Sequence, residues 1–164
     1  MGIYIAMVAW SLPKIAADAN GLLPFDVRLG GYSFSEARAF LAALSADGNA
    51  FYRNVQQILD KVFPALEALS VGWAIYLLTP QTWGFIRFAL ACYAIPGMIF
   101  DYLENAQVTI MLQTGAADLT KDLTGLASYY TQMKSIFVTL SFVVLLVMIV
   151  FWFFRHWRAK NAVV

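Results

Sequence analysis

The sequence predicts an all-α membrane protein: a four-transmembrane-helix bundle with a short amphipathic helix in the first extramembrane loop. Three observations predict it. Of the 164 residues, 61% are hydrophobic and 13% charged, where soluble domains average about 25% charged. Mean hydropathy is +0.67, more apolar side chain than a soluble core of this size absorbs, whereas a bilayer accepts it. The apolar residues also run together: residues 135–154 carry no charge over 20 positions, which at ~1.5 Å per residue matches the ~30 Å hydrocarbon core. We read residues 1–164 as a single integral membrane domain.

The chain opens on Met1-Gly-Ile-Tyr-Ile-Ala-Met-Val-Ala-Trp10, which is apolar but short. It lacks the basic n-region and the small-residue cleavage site of a signal peptide. It reads as a first crossing over about 1–17, at the minimum spanning length. So abrupt a start is expected where a few upstream residues are missing. A turn-rich stretch follows, Asn20 to Gly31. Ser33 and Glu36 then have capping-box spacing, and apolar residues at helical intervals predict a short helix over about 35–46. That helix lies on the membrane surface or forms a lid over the helix ends. Asp47-Gly48-Asn49 is expected to stop it.

A second span covers about 55–78. Thr79-Pro80-Gln81-Thr82 makes a tight turn, and the third span covers about 83–112, so the two are antiparallel neighbours. Residues 113–130 lie outside, with the last helix extending back to about Thr124. The fourth span, about 133–156, ends in Arg155-His-Trp-Arg158-Ala-Lys160. Three fixed positive charges without an acid mark a cytoplasmic end, and Arg87 near the 79–82 turn agrees. Trp83, Trp152 and Trp157 with Arg155, Arg158 and Lys160 are the expected interface anchors. This predicts a multi-pass protein of the bacterial inner membrane with both termini cytoplasmic.

The chemistry gathers in a polar cluster. Asp60, Pro64 and Glu67 share one face of the second span, and Asp101, Glu104 and Asn105 one face of the third. Folding the spans about residue 81 puts position 60 level with about 102 and position 67 with about 95. Asp60, Asp101 and Glu104 then lie near the outer interface, with Glu67 deeper. Arg53, Lys61 and Lys134 are the charge partners at that depth. Pro64 and Pro96 free carbonyls that need a donor from a neighbour or water. The plainest reading is a clasp fixing helix register. The sharper one is a proton or cation relay, with Glu67 its leading member because it is deepest and lacks a cation.

Other classes lack their signatures. A net charge of +1 gives no nucleic-acid footprint. Cys92 is the only cysteine and reads as a packing residue. His156 lies in the basic tail among headgroups. No metal is predicted: Glu-x-x-His pairs do not occur, and only a hard cation such as Ca²⁺ at the outer surface fits carboxylates alone. No Gly-x-Ser-x-Gly, Ser-x-x-Lys or phosphate-loop pattern occurs, so no catalytic residue is assigned. Aromatics are 16% of the chain; packing and belt roles account for them, and a bound lipid or pigment is the only cofactor they would serve. Gly72 and Gly97 are expected to let helices approach closely.

Three motifs carry a resemblance: Pro24-Phe-Asp-Val-Arg with Gly31-Tyr-Ser-x-x-Glu36-Ala, then Gln57-x-x-Leu-Asp60-x-x-Phe-Pro64, then Asp101-x-x-Glu104-Asn105. Over about 22–105 the chain resembles an uncharacterised family of small bacterial four-span membrane proteins. The resemblance implies an inner-membrane protein and places Asp60, Asp101, Glu104 and Asn105 among recurring positions without a role. The short first span departs from the longer N-terminus of that pattern. The functional expectation is a non-enzymatic accessory or assembly subunit of a larger complex, respiratory or photosynthetic electron transfer being the natural host. Its partners would be other membrane subunits and the bilayer. The alternatives are a small transporter or membrane enzyme using the carboxylates, or a lipid- or pigment-binding protein.

Overall fold

The computed structural model describes residues 2–161, which form five helices and, among the described residues, no strand. We label them α1 (residues 2–18), α2 (Phe34–Ala43), α3 (Ala46–Leu78), α4 (Phe85–Asp118) and α5 (Lys121–Asn161). The last three are long and apolar enough to cross a membrane. Four crossings were expected. Residues 2–18 are helical throughout, but α1 spans about 25 Å at ~1.5 Å per residue, short of a ~30 Å core.

Local signals explain the helix ends. Ser33 caps α2 with a complete capping box: its Oγ accepts from the Glu36 N–H at 3.3 Å, and its own N–H donates to Glu36 Oε2 at 2.7 Å. Asp47-Gly48-Asn49 does not end a helix as expected; it opens α3. Ser45 caps α3, its Oγ accepting from Gly48 N at 3.0 Å. Gly48 is needed for closeness, since a Cβ there would lie 2.6 Å from the Asp18 Cβ. Asn49 donates to the Leu112 carbonyl at 2.9 Å. The α4–α5 connection is shorter than expected. α4 reaches Asp118 across a break at Gly115, whose φ of 74° favours glycine. Thr120 then starts α5, its Oγ1 accepting from Leu123 N. The 41 residues of α5 run about 60 Å, twice the hydrocarbon thickness.

Two apolar clusters sit at opposite ends, with the polar residues between them. The cap cluster packs Ile15, Phe25, Phe40, Tyr52, Met111 and Ala127, all fully buried. Phe25 lies 4.9 Å from Tyr32 and 4.8 Å from Phe40. The buried residues of α2, Ala37, Phe40 and Leu41, point into this cluster; α2 is therefore a lid over the helix ends and does not turn its apolar face to lipid. The membrane cluster is Val71, Ile75, Ala94 and Met148. Here the glycines act as expected. A Cβ on Gly72 would lie 2.7 Å from the Ala91 carbonyl oxygen, and one on Gly97 3.0 Å from Val138.

The helix levels are fixed by contacts. Trp83 meets Phe151 at 5.5 Å, and Lys134 meets Asp101 at 3.7 Å. Trp83, in the turn before α4, is 18 positions from Asp101, about 27 Å at ~1.5 Å per residue. The polar layer thus stands one hydrocarbon thickness from the Trp83 end, and the cap lies beyond it. On α1, Tyr4 stacks on Phe63 at 5.7 Å, and Trp10 meets Phe51 edge-on at 5.5 Å, so α1 runs antiparallel to the cap-side half of α3.

Candidate functional site

Pro64 has no N–H, so the Asp60 carbonyl four residues back loses its helical partner. Asn105 of α4 supplies the donor: its Nδ2 lies 3.3 Å from Asp60 O. The same amide donates to Asp101 Oδ1 at 3.0 Å. The carbonyl freed by Pro96 is satisfied locally, because the Ile95 N–H donates to Cys92 O in a short tightened turn.

The Asp60 carboxylate accepts from Gln56 Nε2 at 3.1 and 3.0 Å. Gln56 Oε1 in turn accepts from Ser11 Oγ at 2.5 Å. Ser11 and Gln56 both stand in widened π-turns, Met7–Ser11 and Tyr52–Gln56, a geometry frequent at functional sites. Lys134 of α5 pairs with Asp101 Oδ1 at 3.7 Å and with Glu104 Oε2. The other Glu104 oxygen accepts from Thr131 Oγ1 at 2.6 Å. One connected network therefore ties α1, α3, α4 and α5 together.

Of the three expected cations, only Lys134 joins the cluster. Arg53 and Lys61 are exposed and pair with no carboxylate among the described residues. The π-turn over 52–56 adds a residue to the turn, which rotates Arg53 off the Asp60 face. Lys61 lies about 100° around the helix from Asp60; only its carbonyl takes part, accepting from Tyr102 Oη at 2.9 Å. Glu67 sits deeper as expected and makes no ion pair or hydrogen bond among the described residues.

Asp26 is the member that sequence reasoning missed. A short 3₁₀ turn over Phe25–Val27 buries Phe25 in the cap and swings Asp26 into the polar layer. There Asp26 Oδ2 accepts from the Tyr52 hydroxyl at 2.5 Å. Burial pushes the Asp26 carboxyl up from its ordinary range, opposed by the Lys134 charge and the Tyr52 bond. Burial and the nearby Glu104 charge likewise push the Tyr32 hydroxyl up. The available signal was an acid set between two large apolar residues after a proline.

Asp26, Asp60, Glu67, Asp101 and Lys134 line one cavity of about 390 Å³. Its remaining walls are apolar, chiefly Tyr4, Met7 and Leu12 of α1, Phe63 of α3 and Val138 of α5. Four carboxylates thus face a single ammonium, and Glu104 stands behind Lys134. Buried charge of one sign is costly without a counter-ion or protons. The acids ring the cavity without converging: among the described residues, no three His, Cys, Asp or Glu side chains are grouped to hold a metal ion.

The expected interface anchors cluster at the far end. The Trp152 and His156 rings meet tilted, with centroids 4.1 Å apart, and Arg155, Trp157, Arg158 and Lys160 are exposed. Cys92 is half-buried and lines an apolar groove between α3 and α4. No family model matches this sequence, and no curated protein or solved structure matches it.

Proposed function

We propose that this is a non-enzymatic membrane protein that binds an organic cation in the cap-side cavity and releases protons as it does so. The observation that carries the reading is the charge imbalance, four carboxylates against Lys134 around one space. Empty, such a site holds protons; a cation substitutes for them. The apolar walls favour a cation with an apolar body, and the rings of Tyr4 and Phe63 favour one that can lie over an aromatic face. The clasp role is part of the same account, because the network that fixes the helices also fixes the carboxylates.

In the bacterial inner membrane we place three full crossings, α3 to α5, with the basic C-terminal end in the cytoplasm. The four-span arrangement would make α1 a crossing too, and its exposed flank of Tyr4, Ile5, Val8 and Trp10 suits lipid. Yet Tyr4 is level with Phe63 and Trp10 with Phe51, so residues 2–18 start at the polar layer and run outward from it, and we place α1 at the outer interface. The second reading, an accessory subunit of an electron-transfer complex, is favoured by the outward face of α5, where Leu146, Val147 and Phe153 are exposed.

Calorimetry on the protein in lipid nanodiscs tests the binding reading, with benzyltrimethylammonium as probe. The charged probe should bind and a neutral isostere should not. Glu67→Gln should weaken binding at least roughly tenfold through the lost charge, with Lys61→Gln as a neutral control. Failure of the wild-type protein to bind, or equal binding by Glu67→Gln, would overturn the reading.

A further inference from the structure

The end of the bundle opposite the carboxylates carries charge of one sign only. No acid occurs between Glu67 and Asp101 or after Asp122, so the first turn of α4 and the last turns of α5 hold arginines without carboxylates. Arg87 and Arg155 line one cavity of about 610 Å³ beside the 79–83 turn, together with Thr79, Gln81, Trp83 and Phe151.

Arg87 is held in place. Its Nε donates to the Tyr76 carbonyl at 2.7 Å, and its guanidinium lies 3.7 Å from the centre of the Tyr76 ring. This leaves the two Nη groups without a protein acceptor among the described residues. A fixed, forked donor pair of this kind suits phosphate oxygens. Arg155 is exposed across the same cavity.

Tyr76 also lines the next space along the bundle, an apolar groove of about 570 Å³ between α3 and α4. Leu69, Gly72, Trp73, Phe88 and Met98 form its walls. Gly72 brings the α4 backbone close and so makes the groove floor. From Tyr76 to Ala68 the groove descends about 12 Å at ~1.5 Å per residue, a path for an acyl chain running toward mid-bilayer.

We propose that this end of the protein is a binding site for an anionic phospholipid of the cytoplasmic leaflet. The headgroup phosphate lies between Arg87 and Arg155, and one acyl chain lies in the Leu69–Trp73–Phe88 groove. Two arginines with no acid beside them select net negative lipid over zwitterionic lipid. The inference rests on the membrane placement of α3 to α5 and is independent of the cation cavity.

Native mass spectrometry after reconstitution in equal phosphatidylglycerol and phosphatidylcholine tests it. Phosphatidylglycerol should be retained over phosphatidylcholine. Arg87→Gln with Arg155→Gln should erase that preference, at roughly fivefold per arginine. Arg155→Gln alone should lower it by about that factor; its exposed side chain makes this variant safe for folding. Arg38→Gln with Arg53→Gln, at the cap end, should change nothing. Equal retention of the two lipids, an unchanged preference in both Arg155 variants, or displacement of the lipid by millimolar inorganic phosphate would overturn the proposal.

Discussion

The Asn105 side chain bonds the Asp60 carbonyl that Pro64 leaves without a helical donor, at 3.3 Å. The three residues are one device spread over two helices. Replacing Asn105 by Leu orphans that carbonyl in a buried layer and should cost about 1–3 kcal/mol. Pro64→Ala restores the missing N–H and should recover much of that loss in the double variant. Thermal unfolding of the four proteins in detergent closes the cycle; purely additive effects would break the link between Asn105 and Pro64.

Among the described residues, Lys134 is the one cation in its layer. Lys134→Met leaves Asp101 and Glu104 buried without their partner and should destabilise the fold by about 3 kcal/mol or more. Adding Asp101→Asn and Glu104→Gln should restore most of the melting temperature. A triple variant no better than Lys134→Met would show that the ammonium stem, not its charge, matters.

Asp26 gives stability a pH dependence of defined sign. Its pKa is raised in the fold by burial, so folding favours the protonated carboxyl. Its contribution is fully present below the ordinary aspartate range near 3.8 and is lost as pH rises through the raised value. Compared with Asp26→Asn, the wild-type protein should lose ground steadily from about pH 4 toward neutrality. Parallel melting curves across that range would contradict the placement of Asp26.

The capping box of α2 should behave in the opposite sense. Bonds from the Ser33 hydroxyl and N–H hold the Glu36 carboxyl below its usual range, so this contribution is present above that range and is lost as pH falls through the lowered value. Ser33→Ala should lower the melting temperature near neutral pH, and the gap to wild type should narrow in acid. A gap that stays constant with pH would exclude the Glu36 bonds as its source.

What the sequence disclosed followed from periodicity and depth. Counting back from the 79–82 turn placed Asp60 level with Asp101 and Glu104, and the bond from the adjacent Asn105 to the Asp60 carbonyl agrees. Pro64 announced an orphan carbonyl, and Asn105 meets it. Three contributions were hidden. The π-turns at Met7–Ser11 and Tyr52–Gln56 shift helical register without a residue type that signals them, and so removed Arg53 from the cluster. Gly48 and Asn49 looked like a stop, but the partners that make them an opening turn, Asp18 and Leu112, are distant in sequence. Asp26 enters the site from a loop, where no periodicity fixes the direction of a side chain. The length of α1 was readable, but its level against α3 depended on the Tyr4–Phe63 contact.

The exchange of protons for a cation is tested most directly by counting protons. Benzyltrimethylammonium cannot itself release one, so titrating it into the protein in weakly buffered solution near pH 6.5 reads only the carboxylates. Proton release in proportion to binding is expected, with tighter binding as pH rises and a smaller release from Asp60→Asn. Binding with no change in proton count and no pH dependence would contradict the exchange.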